Sequence, residues 1–280
     1  MRNRNLIHIT RTLKMPLKWM QKSYLLLFVL SNLCVFPLTA ENNWFIDELE
    51  QSFQKSNVEK RRFVKEFKTT VEVSAECEYP YFSGDSALYH HVNKDLQLKA
   101  HQVFTGFVEY EQTSQEQYES GFGGCSLVYR LFPVCCLPNL MSICGMESQM
   151  RACPHGWTHY EGKNFWQQGN VIREIALKDL FIEGSNWSSF LIKYCDARFK
   201  AMKYGYYGTI DDFVPQLIPA DLDVFVITTR GLIIIFSSYK VGGWADGPDV
   251  LFIPYQDITE FIDFEGPLQE VPEVEKSKNK

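Results

Sequence analysis

The sequence of 280 residues lacks the short motifs by which many enzymes are recognised. It contains no P-loop, no G-x-S-x-G nucleophile turn, no H-E-x-x-H zinc motif and no EF-hand spacing. No C-x-x-C pair occurs, which argues against a zinc knuckle and against a thioredoxin-type redox site. No period repeats along the chain, so a solenoid array is not expected.

Positive charge is scarce beyond the first forty residues. Residues 1–40 hold six basic and no acidic residues, whereas residues 41–280 hold 22 basic and 34 acidic ones, a net charge of −12. Nucleic-acid binding needs clustered Lys and Arg to contact phosphates, so no nucleic-acid partner is expected. The negative charge favours a cationic partner. With 45% hydrophobic residues, the chain can bury a core.

Residues 1–40 have the three parts of a secretory signal peptide: a basic start, a short apolar run and a small residue at the cleavage site. The apolar run at 24–36 is shorter than the roughly 20 residues that span a bilayer, and Pro37 interrupts it. We expect cleavage after Ala40, with an uncleaved anchor as the alternative. The protein is then extracytoplasmic, periplasmic or secreted, and contacts a membrane only through this segment if it is uncleaved.

Eight cysteines are ordinary in an exported chain, where disulfides persist. Seven lie beyond residue 40, and this odd number leaves at least one thiol free or paired with another chain. The connectivity cannot be read from the sequence. Five of them are close together, where one or two local disulfides are expected. These candidates are Cys125, Cys135, Cys136, Cys144 and Cys153.

The first part of the mature chain combines helical and strand-like patterns. Aromatic residues at near-helical spacing predict one or two amphipathic helices within 44–67. Polar and apolar residues alternate over 69–74, which predicts a half-buried strand that Tyr79-Pro80 then ends. Apolar positions three or four residues apart from Leu88 to Phe107 predict one helix with a buried stripe.

The later part predicts strand hairpins separated by helices. The predicted elements are strands at 125–132, 140–144, 172–177, 224–228, 232–236 and 250–254, and helices at 186–203 and 255–263. The strands at 224–228 and 232–236 are almost continuously apolar, which predicts a central hairpin buried on both faces. Hairpins and separate helices indicate an α+β fold, with antiparallel or mixed sheet hairpins and packed helices in an exported domain.

A run of spaced residues near the C-terminus resembles a known family. The pattern is Phe225-x-Ile227-x-x-x-Gly231-Leu232-x-x-x-Phe236-x-x-Tyr239-x-Val241-Gly242, then Ala245-x-Gly247-Pro248 and Ile253-Pro254-Tyr255. It is similar to the domain of unknown function that ends the extracytoplasmic half of the RsiV anti-sigma factor and also occurs in the PdaC polysaccharide deacetylase. Upstream, Tyr79-Pro80, Ser83-Gly84 and Val92-Asn93 resemble the companion domain that precedes it in those proteins.

This resemblance covers about residues 70–263 and implies a division of the chain. The implied segments are a signal peptide or anchor at 1–40, a helical lead-in at 41–68, the companion domain at 69–123, the RsiV C-terminal-like domain at 124–264 and a disordered tail at 265–280. No deacetylase catalytic domain follows, so that enzyme's activity does not transfer. In the RsiV branch, the exported module recognises lysozyme.

One short segment gathers residues that bind metals or act as nucleophiles. Cys153, His155 and His159 could supply three of the three or four ligands that a zinc site needs. Cys153 with a histidine could also form a nucleophile, provided that a third group orients the pair. The simpler interpretation is that His155 fixes a loop by hydrogen bonding. We therefore predict no catalytic residue, no metal and no cofactor.

The expected function is that of a non-enzymatic, exported binding module of the bacterial cell envelope. Its partner is expected to be a cationic protein such as lysozyme, or a cell-wall component. The candidate binding residues lie in loops of the region of resemblance: His155, Trp157, Tyr239, Trp244 and Asp246. The alternative is an envelope hydrolase or metal protein that uses Cys153, His155 and His159.

Overall fold

Two β-sheets form the framework of the computed structural model, which describes residues 58–114, 123–151, 155–207, 216–237, 240 and 249–271. The large sheet has the strand order β1-β2-β3-β4-β5-β6, and the small sheet has the order β7-β8-β9. The strands are β1 Val58–Lys68, β2 Glu72–Phe82, β3 Cys125–Cys136, β4 Leu140–Arg151, β5 Trp157–Gln168, β6 Val171–Glu174, β7 Phe225–Ile227, β8 Gly231–Phe236 and β9 Asp249–Pro254. The helices are α1 Ala87–Thr113, α2 Trp187–Tyr207 and α3 Tyr255–Ile258, with 3-10 helices at Leu177–Leu180, Pro219–Leu222, Thr259–Phe261 and Pro267–Glu270. The predicted α+β class is confirmed.

Helix α1 connects the only parallel pair of strands in the described part of the large sheet, β2 and β3. A parallel connection needs a crossover, and the helix supplies it. Its stripe of Leu88, Val92, Leu96 and Ala100 is fully buried against the sheet, as the spacing predicts. No helix in the described ranges is both long enough and apolar enough to cross a membrane.

Side-chain alternation gives each face of the large sheet its own core. In β3, Leu127, Tyr129 and Leu131 pack with α1. Phe132 and Val134, at even-numbered positions of the same strand, pack against the small sheet on the opposite face. Successive residues of a strand point to opposite sides, so one strand serves both layers.

The small sheet is buried on both faces, as its apolar sequence predicts. Val226 and Ile233 contact the large sheet. Phe225 and Ile234 belong to the other core, which includes buried residues of α2. Phe236 makes an edge-to-face contact with Phe199 of α2, with ring centroids 5.0 Å apart. The layers are therefore α1, the large sheet, the small sheet and α2.

A buried polar network docks the small sheet onto the large one. The Ser142 hydroxyl donates to Asn164 Oδ1 at 2.6 Å and accepts from the backbone N–H of Ile227 at 2.8 Å. Asn164 Nδ2 donates to the Phe225 carbonyl at 3.0 Å. Beside it, Gly162 lies so close that an added Cβ would be 1.8 Å from the Phe225 carbonyl oxygen. Strands β4 and β5 of the large sheet thus hold the backbone of β7 directly.

The helical lead-in predicted up to residue 68 is wrong for residues 58–68, which form β1. Phe63 and Phe67 are four residues apart, a spacing that fits one turn of helix and also one face of a strand. Strand pairing with β2 over the whole of β1 selects the second arrangement. Residues 44–57 of the predicted helices lie outside the described residues.

Two further elements differ from the predictions. The strand predicted at 69–74 overlaps β2, which begins at Glu72 and continues through Pro80. Pro80 pairs only with β1, because the pairing with β3 ends at Glu78. Proline is tolerated there since its position has no second partner strand that requires an N–H. Strand β5 was not predicted at all. Its polar sequence contains few apolar residues to signal a strand.

The predicted polar tail begins with an ordered turn. Leu268 and Val271 are fully buried in the core that contains α2. Glu270 accepts a hydrogen bond from the backbone N–H of Asn139 at 3.2 Å, and this ties the turn to the β3–β4 connection. Residues 272–280 of the predicted disordered tail lie outside the described residues.

The structure corrects the local disulfides expected for Cys135, Cys136 and Cys144, which are free thiols. Cys144 is buried on the small-sheet face, whereas Cys125 lies on the α1 face at the start of β3. Ten residues of extended strand, about 33 Å, separate Cys125 from Cys135. Disulfides need Cα atoms within about 7 Å, so the length of the strand prevents a bond between Cys125 and Cys135. Cys153 lies outside the described residues.

The docking network predicts a specific loss of stability. Asn164→Ala removes the donor to Phe225 and the acceptor for Ser142, leaving two buried polar groups without partners. We expect the free energy of unfolding to fall by about 2–3 kcal/mol. Urea denaturation monitored by tryptophan fluorescence measures it. Asn170→Ala, at an exposed turn, is the control and should change stability by less than about 0.5 kcal/mol. Equal effects of the two substitutions would contradict the role of the network.

The close approach at Gly162 predicts a second effect. Gly162→Ala forces the backbones of β5 and β7 apart, so we expect a loss of about 3 kcal/mol or more. The matched control is Gly106→Ala in α1, where an added Cβ meets no atom within 4 Å. Alanine in a helix interior should stabilise the protein by about 0.5–1 kcal/mol. Thermal denaturation of the two variants should shift in opposite directions, and a stable Gly162→Ala protein would refute the contact.

The thiol assignment predicts an alkylation pattern. Burial raises the pKa of all five thiols, Cys77, Cys135, Cys136, Cys144 and Cys195, to about 12, so reactive thiolates are scarce in the folded protein. Cys136 is exposed and the other four are buried, so Cys136 should react with iodoacetamide first and the other four only after unfolding without reductant. Peptide mass spectrometry locates the modified residues. Any of the five found in a disulfide would contradict the assignment.

Candidate functional site

Helix α1 runs antiparallel to β5 and contacts it at regular intervals. Each step of four residues along the helix, about 6 Å, matches two residues of strand, about 6.7 Å. The contacts are His91 with the Phe165 ring at 5.9 Å, Asp95 with Lys163 at 2.9 Å and Lys99 with Glu161 at 3.2 Å. These side chains fix the helix along the strand.

Beyond the last of these contacts, α1 has open space at the exposed Gly106. The same spacing brings the turn of α1 that contains Gly106 opposite His159 and Trp157. An added Cβ at Gly106 would meet no atom within 4 Å. At the far end, the Arg151 guanidinium lies 4.1 Å from the centre of the Tyr110 ring. We call this space the α1–β5 groove. Its residues are Lys99, Gly106, Tyr129, Glu147, Gln149, Trp157, His159 and Glu161.

Strand register places the groove's polar residues on one face of the sheet. Tyr129 of β3 is opposite Glu147 of β4, which is opposite His159 of β5. In the adjacent row, Gln149 is opposite Trp157. Directly opposed residues project from the same face, and Tyr129 belongs to the core beneath α1. The groove therefore has a floor from β3 and β4 and one wall from β5.

Glu161 is neutralised by contacts within the protein. One carboxylate oxygen accepts a hydrogen bond from the Tyr129 hydroxyl, and the other lies 3.2 Å from Lys99 Nζ. Burial raises the pKa of Tyr129 well above its usual value, and the neighbouring charge of Glu161 and this hydrogen bond raise it further. The phenol therefore stays protonated as a fixed donor.

Glu147 has a different environment. Gln149 Nε2 donates to Glu147 Oε1 at 2.6 Å, and no ion-pair partner of Glu147 is present among the described residues. After burial, the charge of Glu147 is the largest cause that raises the pKa of Cys77 to about 12, and it also raises that of Tyr129. The groove thus carries one carboxylate with a cation and one without.

Gln149 adds an acceptor that has no donor. Its side chain is 92% buried, with 8% exposed, and its Oε1 has no hydrogen-bond partner in the described part of the chain. Trp157, opposite it, is 45% exposed. Carboxylate and amide oxygens beside an aromatic face bind a ligand that brings several hydrogen-bond donors and an apolar surface. The groove can therefore bind and orient such a ligand.

The structure brings together two of the residues that the sequence analysis singled out. Trp157 and His159 lie two residues apart on β5, so both project into the groove. His155 precedes that strand and is exposed. Cys153, Tyr239, Trp244 and Asp246 lie outside the described residues. The described residues thus include only the β5 end of the candidate binding surface.

Cys153 of the alternative metal site lies outside the described residues, and among the described ones no three His, Cys, Asp or Glu side chains are placed to hold a metal ion. The sequence analysis missed Tyr129, Glu147, Gln149 and Glu161. Their alternation with apolar or small residues in β3, β4 and β5 was the available signal. This alternation could be interpreted only after the strand register showed that these residues are neighbours.

Solved structures show where this fold occurs. A DUF3298 family member from Bacteroides fragilis is 14% identical with a TM-score of 0.52, over 80% of this chain and 99% of that chain. A DUF3298 family protein from Pseudomonas aeruginosa is 11% identical with a TM-score of 0.57, over 78% of this chain and 97% of that chain. At such low identity, the likeness shows the fold.

The family comparison identifies one part of the chain. Among curated proteins, none matches. Residues 178–256 match the family described as a protein of unknown function, DUF3298. This range lies within the domain predicted at 124–264 and includes α2 and the three strands of the small sheet. A DUF3298 domain therefore occupies residues 178–256.

Proposed function

We propose that this chain is a non-enzymatic, exported binding module of the bacterial cell envelope, of the RsiV type, and that the α1–β5 groove is its ligand site. The observation that carries the proposal is the groove itself. It combines an exposed Trp157 with the acceptors of Glu147 and Gln149. The two structural relatives are bacterial proteins, which supports a bacterial setting.

The contacts of Glu161 argue against acid–base catalysis by that residue. A general acid or base must exchange a proton with its substrate. Glu161 is instead paired with Lys99 and hydrogen-bonded to Tyr129, so both of its oxygens are already used. A paired carboxylate of this kind shapes a binding surface. The envelope hydrolase that would use Cys153, His155 and His159 is the alternative, and a His159→Ala variant with lost lytic activity would favour it.

Two partners fit different features of the chain. A cell-wall component fits the groove, because glycans offer many hydroxyl donors and an apolar ring face. A basic protein such as lysozyme fits the net charge of −12 on residues 41–280. Attraction between opposite net charges speeds association and weakens with salt. The dependence of binding on salt and on the groove separates the two partners.

Binding of the purified full chain to insoluble cell walls and to immobilised lysozyme tests the proposal at low and high salt. We expect Trp157→Ala to weaken binding at the groove by about tenfold or more, since an aromatic contact residue is removed. Ile182→Ala is the matched control, because Ile182 is 47% exposed and Trp157 is 45% exposed. Ile182 lies outside the groove, so its variant should bind normally. If neither partner is retained at low salt, the proposed function is wrong.

A further inference from the structure

The cations at the groove are all engaged by other groups. Lys99 lies 3.2 Å from Glu161, and Arg151 lies 3.5 Å from Glu111 while stacking on Tyr110. Along the neighbouring turn, Lys163 is paired with Asp95 in the same way. Glu147 is the exception among the groove carboxylates, since no described cation lies at ion-pair distance from it. Among the described residues, the charge balance of the groove therefore lacks one positive group, located at Glu147.

The hydrogen-bond balance lacks a donor at the same place. Gln149 gives its amide N–H to Glu147, and this contact turns its carbonyl oxygen away from that carboxylate. That oxygen is buried and has no donor within the described part of the chain. A buried acceptor without a donor is costly, and native proteins seldom leave one unless a bound molecule satisfies it. Glu147 and Gln149 therefore present only acceptors to a ligand.

A protonated primary amine meets both requirements. An ammonium group carries one positive charge and three donors, and it accepts no hydrogen bonds. A divalent cation such as calcium needs six to eight oxygen ligands, about two to three times the number that these two side chains offer. The adjacent exposed face of Trp157 suits a flat apolar surface, such as the C–H face of a sugar ring.

We propose that the α1–β5 groove binds an amino sugar with a free amine, such as the glucosamine units of a de-N-acetylated glycan. The ammonium group donates to Glu147 and to Gln149 Oε1, and the ring lies against Trp157. This inference rests on the proposed function, because it names the ligand class of the same groove. The groove then distinguishes a free amine from an acetylated one, which has no charge and a single N–H.

Calorimetric titration of the purified full chain tests this inference with three probes: β-1,4-linked glucosamine tetramer, N-acetylglucosamine tetramer and tetralysine. The titrations are made at low salt and at a pH where the amines are protonated. We expect the glucosamine tetramer to bind at least about tenfold more tightly than the acetylated tetramer, because a charged hydrogen bond is lost on acetylation.

Two variants locate the amine. Glu147→Gln keeps an acceptor for Gln149 and so preserves the fold, but it removes the charge. It should lower affinity for the glucosamine tetramer at least about tenfold and abolish the preference over the acetylated tetramer. Trp157→Ala should weaken binding of both sugars. Glu183→Gln, at an exposed turn outside the groove, changes the net charge equally and should leave binding unchanged.

The remaining outcomes overturn the inference in distinguishable ways. Equal affinity for the two sugars, or unchanged binding by Glu147→Gln, removes the amine from the groove. Tighter binding of tetralysine, lost in Glu147→Gln, assigns the groove to a basic peptide in place of a sugar. If none of the probes binds although cell walls or lysozyme retain the full chain, the ligand class is wrong and the proposed function stands. If cell walls and lysozyme also fail, both proposals are wrong.

Discussion

The direct attachment of β7 to the middle of the large sheet is the constraint on which the rest of the fold depends. Ser142 and Asn164 hold two backbone groups of β7, at Ile227 and Phe225, and Gly162 lets the two backbones approach closely. Apolar packing alone is non-directional and tolerates sliding. Buried hydrogen bonds permit one register, since a shift leaves polar groups without partners. The network thus fixes how two sheets form one structure.

In β4 and β5, alternate residues point to opposite faces of the large sheet and therefore have different roles. Ser142 and Asn164 point toward the small sheet, whereas Glu147 and Glu161 point toward α1. One face therefore holds the DUF3298 domain at residues 178–256, and the other forms the groove. The groove lies on strands outside the matched range. Its proposed ligand consequently rests on the chemistry of this chain and on no property of the matched domain.

Electrostatics distinguishes the two carboxylates of the groove. Two carboxylates lie close to the same tyrosine, but their environments differ: Glu161 has Lys99, while Glu147 has a neutral amide. The first is a fixed part of the scaffold. The second keeps a charge that a ligand can use, and a partly enclosed site makes that charge more effective than on an open surface. Similar residue types thus take different roles because of their neighbours.

Elements with strong local patterns could be predicted from the amino-acid sequence. The apolar stripe of α1 and the continuous apolar strands β7 and β8 were predictable, because burial requires such spacing in any context. Only the tertiary structure decided that residues 58–68 form a strand, since Phe63 and Phe67 fit a helix equally well until β2 pairs with them. Likewise, the groove exists only through strand register. Glu147 and His159 are separated along the chain, and hydrogen-bonded pairing of β4 with β5 makes them neighbours.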